Sequence, residues 1–206
     1  MPAGLVGLAL WAQGAGFGLF QVIEWPDWAV AVAGYILFDL AVWAQHVAMH
    51  RVNFLWRFHR VHHADPDFDV MTALRFHPGE ILVSLAWKGA VVVLIGAPPI
   101  FVLWYEVILN VGAMFNHSNL ALTPNVDRWL RRVIVTPDMH RVHHSTEHVE
   151  ANRNFGFFLP WWDRLFRLYQ DQPDLGHSGM RIGQTRWRAS ADQSFLSLLY
   201  QPRNEL

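Results

Sequence analysis

The sequence predicts an all-α integral-membrane protein of about four transmembrane helices, arranged as two hairpins with a polar helical part on one side. Three observations predict it: four long apolar stretches, basic residues confined to the segments between and after them, and histidines gathered at their ends. Of 206 residues, 52% are hydrophobic and only 16% charged, with 11 Trp and 14 Phe. Soluble domains carry about 25% charged residues, so the deficit points to a bilayer. A mean hydropathy of +0.14 is too low for a chain made only of spans. Apolar helices plus a water-facing part fit better.

The first apolar stretch, about residues 3–23, holds no charge and ends at Glu24-Trp25-Pro26-Asp27, where proline stops a helix. No basic segment precedes it, which argues against a cleaved signal peptide. The second stretch, about 28–49, contains one acid, Asp39. The third, about 81–97, carries Lys88 and ends at Pro98-Pro99; the fourth, about 100–115, contains Glu106. A full crossing takes about 20 apolar residues, so the first two qualify and the last two are short. None of the 16 Lys and Arg residues precedes Arg51; five fall between Arg51 and Lys88, and eleven between Arg128 and Arg203. Two hairpins would put segments 50–80 and 117–206 on one side, which the arginines make cytoplasmic. The whole chain reads as one domain. A net charge of −1 offers nothing to a nucleic acid. The absence of cysteine removes disulfides, thiolate metal sites and thiol nucleophiles together.

Histidine carries the chemical signal. His46 and His50 are four apart at the end of the second span, so on a helix they share a face. His59, His62 and His63 occupy i, i+3 and i+4, and His140, His143 and His144 repeat that spacing within a recurring His-Arg-Val-His-His. His117 lies where the fourth span ends. At this histidine content an H-x-x-H-H should arise by chance on the order of 0.04 times, and it occurs twice. Imidazoles without thiolates suit Zn, Cu, Fe or Ni. One zinc takes about four ligands, so eight or nine candidates imply two metals. Asp39 shares a helical stripe with His46 and His50, and Glu106 and Asn110 share one with His117. Buried carboxylates or amides that accept the other imidazole N–H are common partners of ligating histidines, which makes these three candidates for that role. Helix–helix hydrogen bonding away from any metal is the alternative. His77, in Arg75-Phe76-His77-Pro78-Gly79-Glu80, is a candidate extra ligand, outer partner or helix-start residue. His148 and His177 read as surface or structural.

These residues resemble the fatty acid hydroxylase/sterol desaturase superfamily. H-x-x-x-H at 46–50 and H-x-x-H-H at 59–63 and 140–144 match its three histidine boxes. Thr136-Pro137-Asp138-Met139 leads into the last, with Asn154-Phe155-Gly156 and Leu159-Pro160-Trp161-Trp162-Asp163-Arg164-Leu165-Phe166 after it. Asn116-His117-Ser118-Asn119 is similar to the family's intermediate element, and the likeness covers about residues 28–170. It implies four transmembrane helices with a cytosolic helical cap enclosing a dimetal site. It also implies two Fe ions on His46, His50, His59, His62, His63, His117, His140, His143 and His144. O2 would be the co-substrate, and the substrate a lipid (sterol, fatty acyl or isoprenoid-like) that is hydroxylated or desaturated. Some relatives carry H-x-x-x-H where this chain has Ala113 and His117, leaving His77 or water for one position. The chain begins close to the first box, so the family's longer N-terminal region is expected to be reduced. Electrons would come from a separate reductase, ferredoxin- or cytochrome b5-like. The Arg- and Ala-rich composition points to a bacterial inner membrane. Trp43, Trp87 and Trp104 are candidate walls for a lipid channel, against the commoner role of tryptophan at the membrane interface. The competing readings are a membrane metal-binding or transport protein and a non-catalytic relative.

Overall fold

The computed structural model describes residues 2–22 and 25–204; Ile23 and Glu24, at the predicted end of the first span, lie outside them. The described residues form helices and short helical turns, with no strand longer than an isolated bridge between Ser145 and Ile182. Four segments are long and apolar enough to cross a membrane: Ala3–Val22, Asp27–Arg51, Pro78–Ile95 and Pro99–Asn116.

The first of these is not one helix. It divides into α1 (Pro2–Gly14) and α2 (Leu19–Val22), separated by Gly16 and Gly18 at φ of 63° and 110°. At 1.5 Å per residue α1 rises about 20 Å, short of the roughly 30 Å hydrocarbon core. The bend has a steric cause. A Cβ on Gly18 would lie 2.3 Å from the backbone nitrogen of Gly96, so Gly18 and Gly96 permit a backbone contact that closes the first apolar segment onto the turn between the third and fourth. Gln21 donates to the Gly96 carbonyl at 2.9 Å.

The second stretch is α3 (Asp27–Arg51), about 37 Å long. After Val52, α4 (Asn53–His59) begins. The third and fourth stretches are α5 (Pro78–Ile95) and α6 (Pro99–Asn116), both starting on proline at the first helical position, where no N–H is needed. Gly96, left-handed, ends α5, and Pro98 stands just before α6. α1 packs on α5 and α6 rather than on α3, and α3 packs on both.

The core between them is apolar and aromatic: Leu5, Phe38, Val42, Val92, Val102 and Tyr105 are buried. Phe38 sits 4.9 Å from Tyr105 and 5.5 Å from Phe101 between ring centroids. The outside is apolar too. Leu82, Leu94 and Trp104 are 66%, 66% and 61% exposed, which a bilayer accommodates and water does not.

The C-terminal end of α3, the N-terminal end of α5 and the C-terminal end of α6 meet at one end of the bundle. Across it lie α4, the 3-10 turns His62–Ala64 and Thr72–Leu74, and the short helices α7 (Pro124–Leu130), α8 (Pro137–His143), α9 (His148–Ala151) and α10 (Trp161–Leu165). A crossed pair of hydrogen bonds fastens this layer to α3. Trp43 donates to Asp163 at 2.9 Å, and Trp162 donates to Asp39 at 2.8 Å. Bonds to carboxylates contribute about 1.5–3 kcal/mol each. Arg60, 1% exposed, donates to the carbonyls of Gln201 and Asn204 and so anchors the C-terminal segment.

Candidate metal centre

Nine histidines converge where those helix ends meet. Their nitrogens form two sets, each within 4.8 Å: His46, His50, His59, His63 and His143, and His62, His117, His140 and His144. All are buried except His50, which is half-buried. The two sets touch through the stacked rings of His63 and His144, 4.4 Å apart.

The local fold explains the partition. α4 ends at His59 and the chain tightens into a 3-10 turn at His62, so the first H-x-x-H-H does not present one helical face. His59 and His63 point to the first set and His62 to the second. α8 carries His140 and His143 with His144 just beyond its end, and the split is reversed: His140 and His144 join the second set while His143 joins the first. Thr136 accepts from the Met139 N–H and Pro137 occupies the first position, which fixes where α8 starts. His117 caps the end of α6.

Tautomers follow from the partners of the other ring nitrogens. His46 Nδ1 lies 2.7 Å from the Phe155 carbonyl and His143 Nδ1 2.8 Å from the Arg153 carbonyl; a carbonyl only accepts, so both nitrogens carry hydrogen. His117 Nδ1 donates likewise to the Ala113 carbonyl at 2.7 Å, and His59 Nδ1 to Glu80 at 2.5 Å. The Nε2 atoms of the neutral rings are then bare lone pairs. His46 Nε2 is 3.0 Å from those of both His59 and His143. In the second set His117 Nε2 is 3.2 Å from those of His62 and His140. Where the tautomers are fixed, at His46, His59 and His143, lone pairs so placed repel, and a proton shared between them would make a buried cation. Burial instead holds His143 and His117 uncharged, pushing them down to about 3 and about 4. A metal resolves the conflict. Two nitrogens each about 2.1 Å from a shared ion lie about 3.0 Å apart at a right angle.

The segment 153–156 that supplies two of these carbonyls is itself held from behind. Asp163, fully buried, accepts from the N–H groups of Phe155 and Gly156 at 2.9 and 2.8 Å. Asn154 adopts φ 52° and donates to the carbonyls of Met139 and Gln170. Burial raises the Asp163 carboxyl to about 6.

Four other candidates stand elsewhere. Asp39 holds Trp162, and Glu106 pairs with Lys88 at 2.6 Å; neither carboxylate is hydrogen-bonded to a histidine. Asn110 donates to the backbone of its own helix at Glu106. His77 lies outside both sets: its Nδ1 accepts from Gly79 at the start of α5 and its Nε2 meets the Leu199 carbonyl at 3.1 Å. The position taken by a carboxylate beside a histidine belongs to Glu80, which the sequence reading missed, although it follows His77 by three residues at a helix start. His148 is exposed and His177 half-buried, apart from the centre.

A cavity of about 530 Å³ runs from His46 and His59 down between α3, α5 and α6. Val42, Met49, Ile81, Leu109 and Phe157 form its apolar wall, and Lys88, Glu106 and Asn110 lie along it. None of the three tryptophans suggested as walls lines this cavity. Trp43 stacks on Phe166, Trp87 donates to the Ala41 carbonyl, and Trp104 lines a separate outer groove between α3 and α6.

Membrane-length helices closed at one end by nine inward-facing imidazoles define a membrane protein built around a polyhistidine centre that could hold metal. Residues 31–167 match the fatty acid hydroxylase family, and the chain belongs to it. It is 32% identical over 183 residues to the ornithine lipid hydroxylase OlsE of Rhizobium tropici, covering 86% of this chain and 53% of that protein. It is 26% identical over 148 residues to human alkylglycerol monooxygenase (72% and 32%), and 24% identical over 144 residues to rat cholesterol 25-hydroxylase (67% and 46%). The chain thus spans about half or less of these relatives. No solved structure matches it.

Proposed function

We propose that the protein is an O2-dependent di-iron oxidoreductase that hydroxylates, or by removal of a second hydrogen desaturates, an unactivated C–H bond of a lipid. The observation that carries this reading is the convergence of buried imidazoles, with His46 Nε2 3.0 Å from the Nε2 atoms of both His59 and His143 while each of the three Nδ1 atoms is engaged by a carbonyl or carboxylate. The family and the lipid-oxidising names of the relatives supply iron and the reaction class. The ligands would be His46, His50, His59, His63 and His143 at one metal and His62, His117, His140 and His144 at the other.

When bound, the two irons supply O2 activation with two electrons from a separate ferredoxin- or cytochrome b5-like donor. In hydroxylation one oxygen atom enters the substrate and the other leaves as water, consuming two protons. The chain's own residues do the rest. The carbonyls of Arg153, Phe155 and Ala113 and the Glu80 carboxylate keep the imidazoles turned inward, so that binding metal requires little reorganisation. Val42, Leu109 and Phe157 hold an apolar chain under His46 and keep water from the reacting carbon. The arginine-rich segments support an orientation in which this end of the bundle, and the helices that cap it, would face the cytoplasm from a bacterial inner membrane.

The test is metal analysis of detergent-purified protein, followed by labelled-O2 lipidomics of a host expressing it beside His143→Ala. Two irons per chain and label in a lipid absent from the variant strain are the expected result. Exchangeable zinc or copper in place of iron, with unlabelled lipids, would indicate metal transport or storage instead.

A further inference from the structure

Lys88 and Glu106 form an ion pair inside the membrane-spanning part of the bundle, 2.6 Å apart and 6% and 3% exposed. Taking two charges out of water costs more than their attraction returns, and an apolar pair of similar volume is often as stable. Charged groups at membrane depth therefore face an interior polar task. Both residues line the cavity that begins at His46 and His59.

The pair belongs to a polar track. Glu80, Ser84 and Lys88 recur every four residues on one face of α5. Glu80 meets His59, Ser84 donates to Gln45, and Lys88 meets Glu106. From Glu80 to Lys88 the helix rises about 12 Å. Opposite this track the cavity wall carries the apolar side chains of Val42, Leu109, Ala113 and Phe157. The ammonium has three donors and the carboxylate two acceptor oxygens, and one contact between them leaves donors and an acceptor over for a ligand in the cavity.

Resting on the lipid-oxidising reading above, we propose that this cavity selects a lipid bearing a neutral hydroxyl or amide group, which docks between Lys88 and Glu106, about 12 Å along α5 from Glu80 at the histidine end. A group that both donates and accepts meets both partners. A hydrocarbon leaves them unsatisfied, and an anionic carboxylate adds a net charge to a site that is neutral as a pair.

Equilibrium dialysis of the purified, iron-loaded protein, without electron donor, against radiolabelled 1-hexadecanol, hexadecanamide, hexadecane and palmitate tests this. The alcohol and the amide should bind at least tenfold tighter than the other two. In the double variant Lys88→Met/Glu106→Leu, which removes the pair without stranding a charge, that preference should vanish while iron content stays at the wild-type value. Equal binding of hexadecane, tightest binding of palmitate, or a preference surviving in the double variant would each overturn the proposal. If the double variant does not fold, the wild-type ranking decides. Iron content and label incorporation separate the two levels: a protein that holds iron and oxidises lipid but ranks the probes equally refutes only the selection.

Discussion

At the scale of single residues, the centre depends on groups that never approach a metal. Asp163 fixes the Phe155 and Gly156 amides, and through them the carbonyls that turn His46 and His143 inward. Asp163→Ala should therefore lower iron affinity by about 10- to 100-fold, measured by chelator competition, while the helical circular dichroism is retained. Glu80→Ala should act in the same direction through His59. On the proposed function, His143→Ala would remove a ligand and should abolish lipid oxidation. The acid response follows from burial. His62, His63, His117, His140, His143 and His144 are all held below the ordinary value of 6.5, so an unfolded chain takes up protons there before the folded one does. Stability is complete above about pH 6.5 and falls as the pH drops from there toward 4. Thermal unfolding of the metal-free protein in detergent, scanned from pH 8 to 5, should show the midpoint declining only in the lower part of that range.

At the scale of elements, spacing makes eight of the nine histidines visible, since i, i+3 and i+4 imidazoles cluster on a helix, and His117 stands out only by its place at the end of a span. Their distribution between two sets is not visible, because it turns on α4 ending at His59 and the chain tightening at His62. Asp39 and Glu106 stand out in sequence as acids in apolar helices, but periodicity locates a face and not the partner across it. Trp162, 123 residues away, and Lys88, on the neighbouring α5, are those partners. The carbonyls of Arg153 and Phe155 leave no mark in a sequence at all, since every residue has one. Gly18 illustrates the same limit. Its stretch reads as a continuous span, and only the contact with Gly96 reveals the bend. Gly18→Ala puts a methyl group into the Gly96 backbone at positive φ and should destabilise the protein by about 1–3 kcal/mol, read as a lower midpoint in detergent.

At the scale of the whole molecule, four membrane-length segments were legible from hydropathy alone, with boundaries within a few residues of the helices for α3, α5 and α6. How they pack was not: the first segment lies on α5 and α6, a choice made by shape and small side chains such as Gly89 against Leu8. The orientation proposed from the arginines has a direct test. The chain has no cysteine, so single cysteines can be introduced without background. Cysteine at Ser190 should be shielded from an impermeant maleimide in intact spheroplasts and react after lysis. One near Pro98, in the turn between α5 and α6, should react in intact spheroplasts.

The exchange of partners within the two His-Arg-Val-His-His motifs has a consequence for assembly. Each motif lends two rings to one set and the third ring to the other, so neither position can be filled without fixing the backbone that serves its neighbour. The first ion to arrive would organise most of the second site, and uptake should be steep, passing from empty to doubly loaded with little singly loaded protein between. Until then the end of the bundle is a ring of repelling lone pairs. A bound ion at either position would turn that repulsion into shared coordination, on imidazoles that the protein already holds turned inward.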